Sequence, residues 1–152
     1  MPSKKGVLIR RMQPSENRAI HALVQTIADE TFTDLFKGQV PIGEAKWDSA
    51  WLAIIGDEIV GVTLTDKDSV DDLWVRKDDR RMGIGARLLS EAEREMRERG
   101  CHTFRLRVVK SNVVAVQFYQ SQGWKVHREF AHEKYGHAMF EMIKSAKDNP
   151  LS

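Results

Sequence analysis

Leu73-Trp74-Val75-Arg76-Lys77-Asp78-Asp79-Arg80-Arg81-Met82-Gly83-Ile84-Gly85 is the stretch on which the fold turns. It opens on an apolar strand end, passes through a charged turn, places two glycines two apart, and begins a helix. Gly83 and Gly85 remove the Cβ atoms that hold a bound group away from the main chain. The amides of the helix's first turn have no acceptor within the helix and lie at the positive end of its dipole. An anion fits there, and Arg80 and Arg81 add charge-assisted donors suited to a pyrophosphate. Two other phosphate motifs are excluded: a P-loop needs Gly-Lys-Ser/Thr, and a dinucleotide fingerprint needs a third small residue where Leu88 stands. Taken alone, the two glycines also suit a plain tight turn that only admits the helix.

Downstream, Ile84, Leu88, Leu89, Ala92 and Met96 share one apolar face, with Arg87, Glu91, Arg94, Glu95 and Glu98 elsewhere and Gly100 as the stop. Thr103 to Val109 alternates as a half-buried strand. Asn112 to Gln122 reads as a short helix closed by Gly123, and Trp124 to Phe130 and His137 to Ile143 as strands. Upstream, Trp51 to Ile55 and Glu58 to Leu64 form a hairpin about Gly56-Asp57, and Val70 to Val75 extends it, antiparallel, into a meander.

At the start, Val7 to Arg10 is a strand and Pro14 opens a helix carrying Ile20, Leu23, Val24 and Ile27. Between them and the hairpin, Thr31 to Ala45 holds Phe32, Leu35 and Phe36 but is broken by Gly38, Pro41 and Gly43, which predicts a short second helix and a loop. The predicted order is β-α-α-β-β-β-α-β-α-β-β.

The chain has 152 residues, 41% hydrophobic and 30% charged, with four prolines, so it has the composition of a folded chain and not of a disordered or low-complexity one. One domain over 1–152 is expected, with a core from about residue 6 to about residue 145 and loose tails, Met1 to Lys5 and Lys147 to Ser152. No apolar run reaches bilayer length and Met1 to Gly6 lacks a signal-peptide core, so a cytoplasmic location is expected. Cys101 is the single cysteine, which excludes an intrachain disulfide. The 24 basic and 22 acidic residues give a net charge of +2 and are interspersed, most clearly from Arg87 to Arg99, which argues against nucleic acid as a partner.

A second motif lies downstream of the glycine turn: Asn112-x-x-Ala115-x-x-Phe118-Tyr119-x-x-x-Gly123-Trp124. With Leu73-x-Val75 and Arg80-x-x-Gly83-x-Gly85 before it, the chain resembles the GNAT superfamily of N-acetyltransferases from Trp51 to Ile143. The first fifty or so residues carry little of the likeness, as expected where members differ in acceptor. The resemblance implies an α+β fold, a mostly antiparallel twisted sheet of about seven strands flanked by about four helices, with one splayed strand pair.

It further implies that acetyl-CoA is the co-substrate, its pyrophosphate on the main-chain amides of Met82, Gly83, Ile84, Gly85 and Ala86, with Arg80 and Arg81 nearby. The strand Leu73, Trp74 and Val75 splays from Thr103 to Val109, so that pantetheine pairs with free backbone, and a bulge there frees an amide to polarise the acetyl carbonyl. Asn112 and Phe118 join the CoA site, and Asn112 is equally suited to cap its own helix. Tyr119 matches the family's general acid for the leaving thiolate; as residue chemistry alone it is also a core aromatic.

An amine must lose a proton before it attacks, since its reference pKa is about 10.4. Some relatives place a glutamate for this near Arg107, where this chain has none. Asp71 and Asp72 are the acidic substitutes, one on each face of their strand, with a solvated strand end or a water chain as the other readings.

Asp29, Glu30, Asp34 and Glu44 lie where the family contacts its acceptor, and equally make a wet helix face. His127, His132 and His137 recur every five residues, a spacing unlike common zinc sites, so no metal is expected. Cys101 reads as a small buried residue. A homodimer is an analogy with the family, for which Trp47, Trp51 or the last strand offers a face. The primary reading is an amine N-acetyltransferase; the rivals are a non-catalytic acyl-CoA sensor or protein-interaction module, and a nucleic-acid-binding domain.

Overall fold

The computed structural model describes residues 6–44 and 46–147. The strands are β1 (Val7–Arg11), β2 (Trp51–Ile55), β3 (Glu58–Asp66), β4 (Ser69–Val75), β5 (Thr103–Val109), β6 (Lys125–Ala131) and β7 (Ala138–Ser145). The helices are α1 (Asn17–Thr31), α2 (Ile84–Glu98) and α3 (Val113–Ser121), with 3-10 turns at Pro14–Glu16 and Lys77–Met82. The strands run in the sheet order β1-β2-β3-β4-β5-β7-β6. The chain divides into two compact units, one comprising residues through Leu64 plus Asp72–Ala92, the other Thr65–Asp71 plus Glu93 onward.

In the first unit β1 and β2 pair antiparallel from Val7↔Ile55 to Arg11↔Trp51, and β2 pairs with β3 with a register shift at Ala53/Ile54. α1 buries Ile20, Val24, Ile27 and Ala28, the helical-period residues of its sequence. Arg10 grips both carboxylate oxygens of Glu16 at 2.9 and 2.7 Å, and Glu16 also accepts the Gln13 amide at 2.8 Å, which starts the chain into α1. Ile84 and Leu88 of α2 pack with Ala53, Val60 and Val75, and each such fully buried side chain contributes about 1.5–3 kcal/mol. Gly61 makes that contact possible: a Cβ there would sit 2.9 Å from Leu88 Cδ1 and 3.2 Å from the Trp74 carbonyl oxygen.

The second helix expected within Thr31 to Ala45 does not form among the described residues. After Phe32 the chain makes turns, with Gly38 and Gly43 at φ 84° and 78°, conformations a helix does not use. Its path is set from α1 instead: Asp29 Oδ1 accepts the Val40 amide at 2.7 Å, and Gln25 Nε2 donates to the Val40 carbonyl at 2.7 Å. The flanking helices are therefore three among the described residues, not four. Trp47, offered by the sequence as a dimer face, is 4% exposed and belongs to the core with Ile20, Val24, Leu52 and Val62.

In the second unit β7 pairs antiparallel with β5, Leu106↔Met142 at the centre, and with β6, where the register shifts between Val126 and Arg128. Phe104, Leu106, Trp124 and Met142 are buried. β4 and β5 run parallel over two pairs, Ser69↔Arg105 and Val70↔Leu106. No described helix is long and apolar enough to cross a membrane.

Candidate functional site

β4 ends at Val75, and a 3-10 turn carries the chain to Gly83, where φ is +74°. This left-handed residue is what lets the 3-10 turn give way to α2, and an L side chain there is strained by roughly 1–2 kcal/mol. Around Gly83 a Cβ would meet nothing within 4 Å, so the turn presents its main chain to open space. The first N–H bonded back within α2 is that of Arg87, to the Gly83 carbonyl at 3.1 Å. The amides of Ile84, Gly85 and Ala86 thus have no intrahelical acceptor and stand at the positive end of a 15-residue helix. Ile84, fully buried, roots that end in the core, while Met82 is 49% exposed.

Electrostatics around the turn agree with an anionic ligand. Asp79 is buried but neutralised by Arg76, whose Nε lies 2.6 Å from Asp79 Oδ2 and whose Nη1 lies 3.1 Å from Glu58 Oε2. Those carboxylates hold the Arg76 guanidinium above its ordinary pKa. Arg80 Nε donates to the Val75 carbonyl at 3.1 Å, tying the strand end to the turn, with the rest of the exposed guanidinium still to bind. The Arg81 side chain lies outside the described residues. The observed main chain therefore fits a pyrophosphate on three counts: open space at Gly83, helix-start amides without an intrahelical acceptor and the Arg76 partner of Asp79.

Leu73, Trp74 and Val75 occupy the end of β4, beyond its two-pair ladder with β5. Asp72 Oδ1 accepts the Trp74 indole N–H at 2.9 Å, and the Asp72 carbonyl accepts the Thr63 hydroxyl at 2.8 Å. Trp74 meets Phe32 edge to face at 6.4 Å. Asp71 points the other way along the pleat. Although the residue is exposed overall, partial desolvation pushes its carboxyl above the ordinary range; Ser69 opposes this by hydrogen bonding and the charge of Asp66 reinforces it.

In the second unit Asn112 caps α3, its Oδ1 accepting the Ala115 amide at 3.3 Å, which is the capping role its sequence position offered. Phe118 and Tyr119 lie half-buried on α3 with ring centres 5.4 Å apart, and Tyr119 meets Trp124 at 6.3 Å. Where some relatives place a glutamate, Arg107 binds Glu133 at 3.0 and 2.5 Å, holding that carboxylate at about 2.

Two cavities lie in the first unit. One, about 900 Å³, is lined by α1 residues including His21 and Gln25 and by the loop Gln39 to Gly43. The other, about 380 Å³, is bounded by Thr26, Ile27 and Glu30 of α1 and by Arg76, Lys77 and Asp78 of the turn. Of the acidic acceptor candidates Glu30 borders the second cavity; Asp29 holds Val40, Glu44 pairs with Lys46 at 3.1 Å, and Asp34 is exposed.

The sequence reading missed a buried pair, Glu93 and Lys144, and an aromatic stack of His132, Tyr135 and His137 in the β6–β7 turn, where the two histidine rings lie 4.9 Å apart. Glu93 was legible as a charge on the apolar face of α2, four residues after Leu89. Cys101 is only partly buried, its Sγ 3.5 Å from the Lys67 carbonyl.

Comparison with known proteins adds a family. The acetyltransferase (GNAT) family model matches residues 17–124. Three solved structures share the fold. Ard1 from Thermoplasma volcanium superposes with a TM-score of 0.74 at 19% identity, over 91% of this chain and 97% of that one. YjaB from Escherichia coli, in its apo form, gives 0.73 at 21%, over 91% and 97%. The PaiA N-acetyltransferase from Thermoplasma acidophilum, in complex with coenzyme A, gives 0.72 at 17%, over 92% and 99%. No curated protein sequence matches this chain.

Proposed function

Because this chain belongs to the acetyltransferase (GNAT) family, we propose that it moves the acetyl group of acetyl-CoA to a primary amine by direct attack in a ternary complex. The amine belongs to a small molecule, a protein N-terminus or a lysine. The observation that carries this reading is the turn at Gly83: a left-handed glycine with open space around it, leading into helix-start amides. The coenzyme A bound to one protein of the same fold supports the choice of carrier.

Acetyl-CoA brings the activated thioester; the chain's residues bind, orient and move protons. Main-chain amides from Met82 to Ala86, with Arg80 and Arg81, hold the pyrophosphate. The backbone of Leu73, Trp74 and Val75 pairs with pantetheine, and Asn112 and Phe118 complete the CoA contacts. Tyr119 supplies the proton that the departing sulfur takes. Asp71, whose carboxyl desolvation pushes above its ordinary range, accepts the amine's proton, while the Asp72 carboxylate orients Trp74. Most of the rate gain then comes from positioning.

Calorimetry with coenzyme A on the wild type and on Gly83→Glu tests the binding half. Uptake by the first and loss in the second is expected; no uptake by the wild type, or full uptake by the variant, overturns it. Release of free thiol from acetyl-CoA in the presence of a panel of amines tests the transfer half. Uptake with no thiol release for any amine class would favour a non-catalytic acyl-CoA sensor.

A further inference from the structure

Behind the junction of α3 and β6 lies a charged pair that the proposed reaction does not use. Lys144 Nζ sits 2.8 Å from Glu93 Oε1, the two side chains 2% and 6% exposed. Lys144 Nζ also donates to the Gln122 carbonyl at 2.8 Å, and the Trp124 indole N–H donates to Glu93 Oε2 at 3.2 Å. Arg97 Nη2 stands 3.5 Å from Glu93 Oε1 on the outer side.

Stability is a poor explanation for such a pair. Two charges removed from water give up hydration that their attraction barely returns, and apolar residues of like volume commonly do as well or better. What apolar residues cannot supply is direction, and the pair's bonds to Gln122 and to Trp124 end on the same short turn. Gln122 and Trp124 flank Gly123, a left-handed residue at φ +92° whose amide donates to the Gln120 carbonyl at 3.1 Å as α3 ends. The Lys144 stem passes beneath that residue, with Cε 3.5 Å from where a Gly123 Cβ would lie. Tyr119 is fastened to the same turn: its carbonyl accepts the Trp124 amide at 3.0 Å, and its ring meets the Trp124 ring at 61°.

We propose that Glu93 and Lys144 are positioning residues that fix the ring of Tyr119 by clamping the Gln122–Trp124 turn. The proposal rests on the reading of Tyr119 as the acid. Lys144 sets the turn's backbone, Glu93 sets the indole plane, and the tyrosine packs against that plane. Neither charged group touches the reacting atoms.

The test is Glu93→Gln/Lys144→Met, which removes both charges together, keeps an acceptor for the Trp124 indole and releases the Gln122 carbonyl. With the fold verified by circular dichroism, kcat is expected to fall about ten- to a hundredfold, the scale of a misplaced catalytic group. KM for acetyl-CoA should stay within about twofold, and adding Tyr119→Phe should produce little further loss. A kcat equal to that of the parent, or losses that multiply in the triple variant, overturns the proposal. Should the double variant not fold, Trp124→Phe keeps an aromatic ring of smaller size, removes the indole N–H, and is read in the same way. If Tyr119→Phe alone leaves kcat unchanged, the acid reading fails, and hydrogen exchange decides the clamp by itself. Faster exchange across residues 119–124 in the double variant upholds the clamp, and unchanged exchange refutes it.

Discussion

Arg76 closes on Asp79 at 2.6 Å, and the pair cancels that carboxylate's charge ahead of the glycine turn. Asp79 is nearly buried, whereas the Arg76 side chain is 36% exposed, so solvent screens part of the attraction. Arg76→Ala leaves a desolvated carboxylate close to the pyrophosphate amides. The expected outcome is a stability loss of about 1–2 kcal/mol, discounted for screening, in a denaturant melt. Coenzyme A binding should weaken as well, and Arg76→Ala/Asp79→Asn should recover most of that affinity in calorimetry.

Gly61→Ala is expected to destabilise the protein by about 1–3 kcal/mol, because the new methyl meets Leu88 Cδ1 and the unyielding Trp74 carbonyl. The melting temperature measures it. Gly61→Ala/Leu88→Val, which removes the flexible half of the clash, should restore only part of the loss.

Tyr119→Phe keeps the ring that packs against Phe118 and Trp124 and removes only the hydroxyl. Turnover is expected to fall by about a hundredfold or more, the usual scale of a general acid, with coenzyme A affinity nearly unchanged. Unchanged turnover in a thiol-release assay would reject the acid role.

Asp71 gives a pH test. Its folded pKa is raised above the ordinary 3.8, so the stability it contributes is present below that value and is lost as pH rises through the folded pKa. Asp71→Asn should therefore raise the melting temperature at neutral pH and change it little in strong acid. As the base it must be ionised, so activity falls as pH drops through the same raised pKa. Asp71→Asn should remove that acidic limb from the kcat/KM profile along with most of the rate, while Asp72→Asn should chiefly disturb Trp74.

The strands and the three α-helices were legible because their apolar residues keep periods of two and 3.6; β5 alternates buried and exposed as its period requires, whereas β6 is exposed almost throughout. Ile84, Leu88, Leu89, Ala92 and Met96 form the buried face of α2 without exception. The glycine turn was legible because the left-handed backbone at Gly83 favours glycine over any residue with a side chain. Legibility stopped where long-range partners decide. Phe32, Leu35 and Phe36 suggest a helix, yet the segment obeys bonds to Gln25 and Asp29 that no local pattern announces. Lys144 sits on the core-facing beat of β7 beside Met142, but a lysine there reads as an error until its partner Glu93, distant in sequence, is seen across from it. The choice of Asp71 over Asp72 as the proposed proton acceptor was hidden for the same reason, since it turns on the Trp74 indole that the Asp72 carboxylate binds.

Val40, held by amide and carbonyl to two side chains one helical turn apart, has an entropic consequence. A rivet near the midpoint of the Phe32 to Ala50 crossing replaces one long ring closure by two shorter ones, and closure entropy grows only slowly with the length of each. Residues inserted on either side of that rivet are cheap for the fold. The crossing can therefore change its outline, and with it the shape of the cavity it borders, while the sheet and the glycine turn stay as they are.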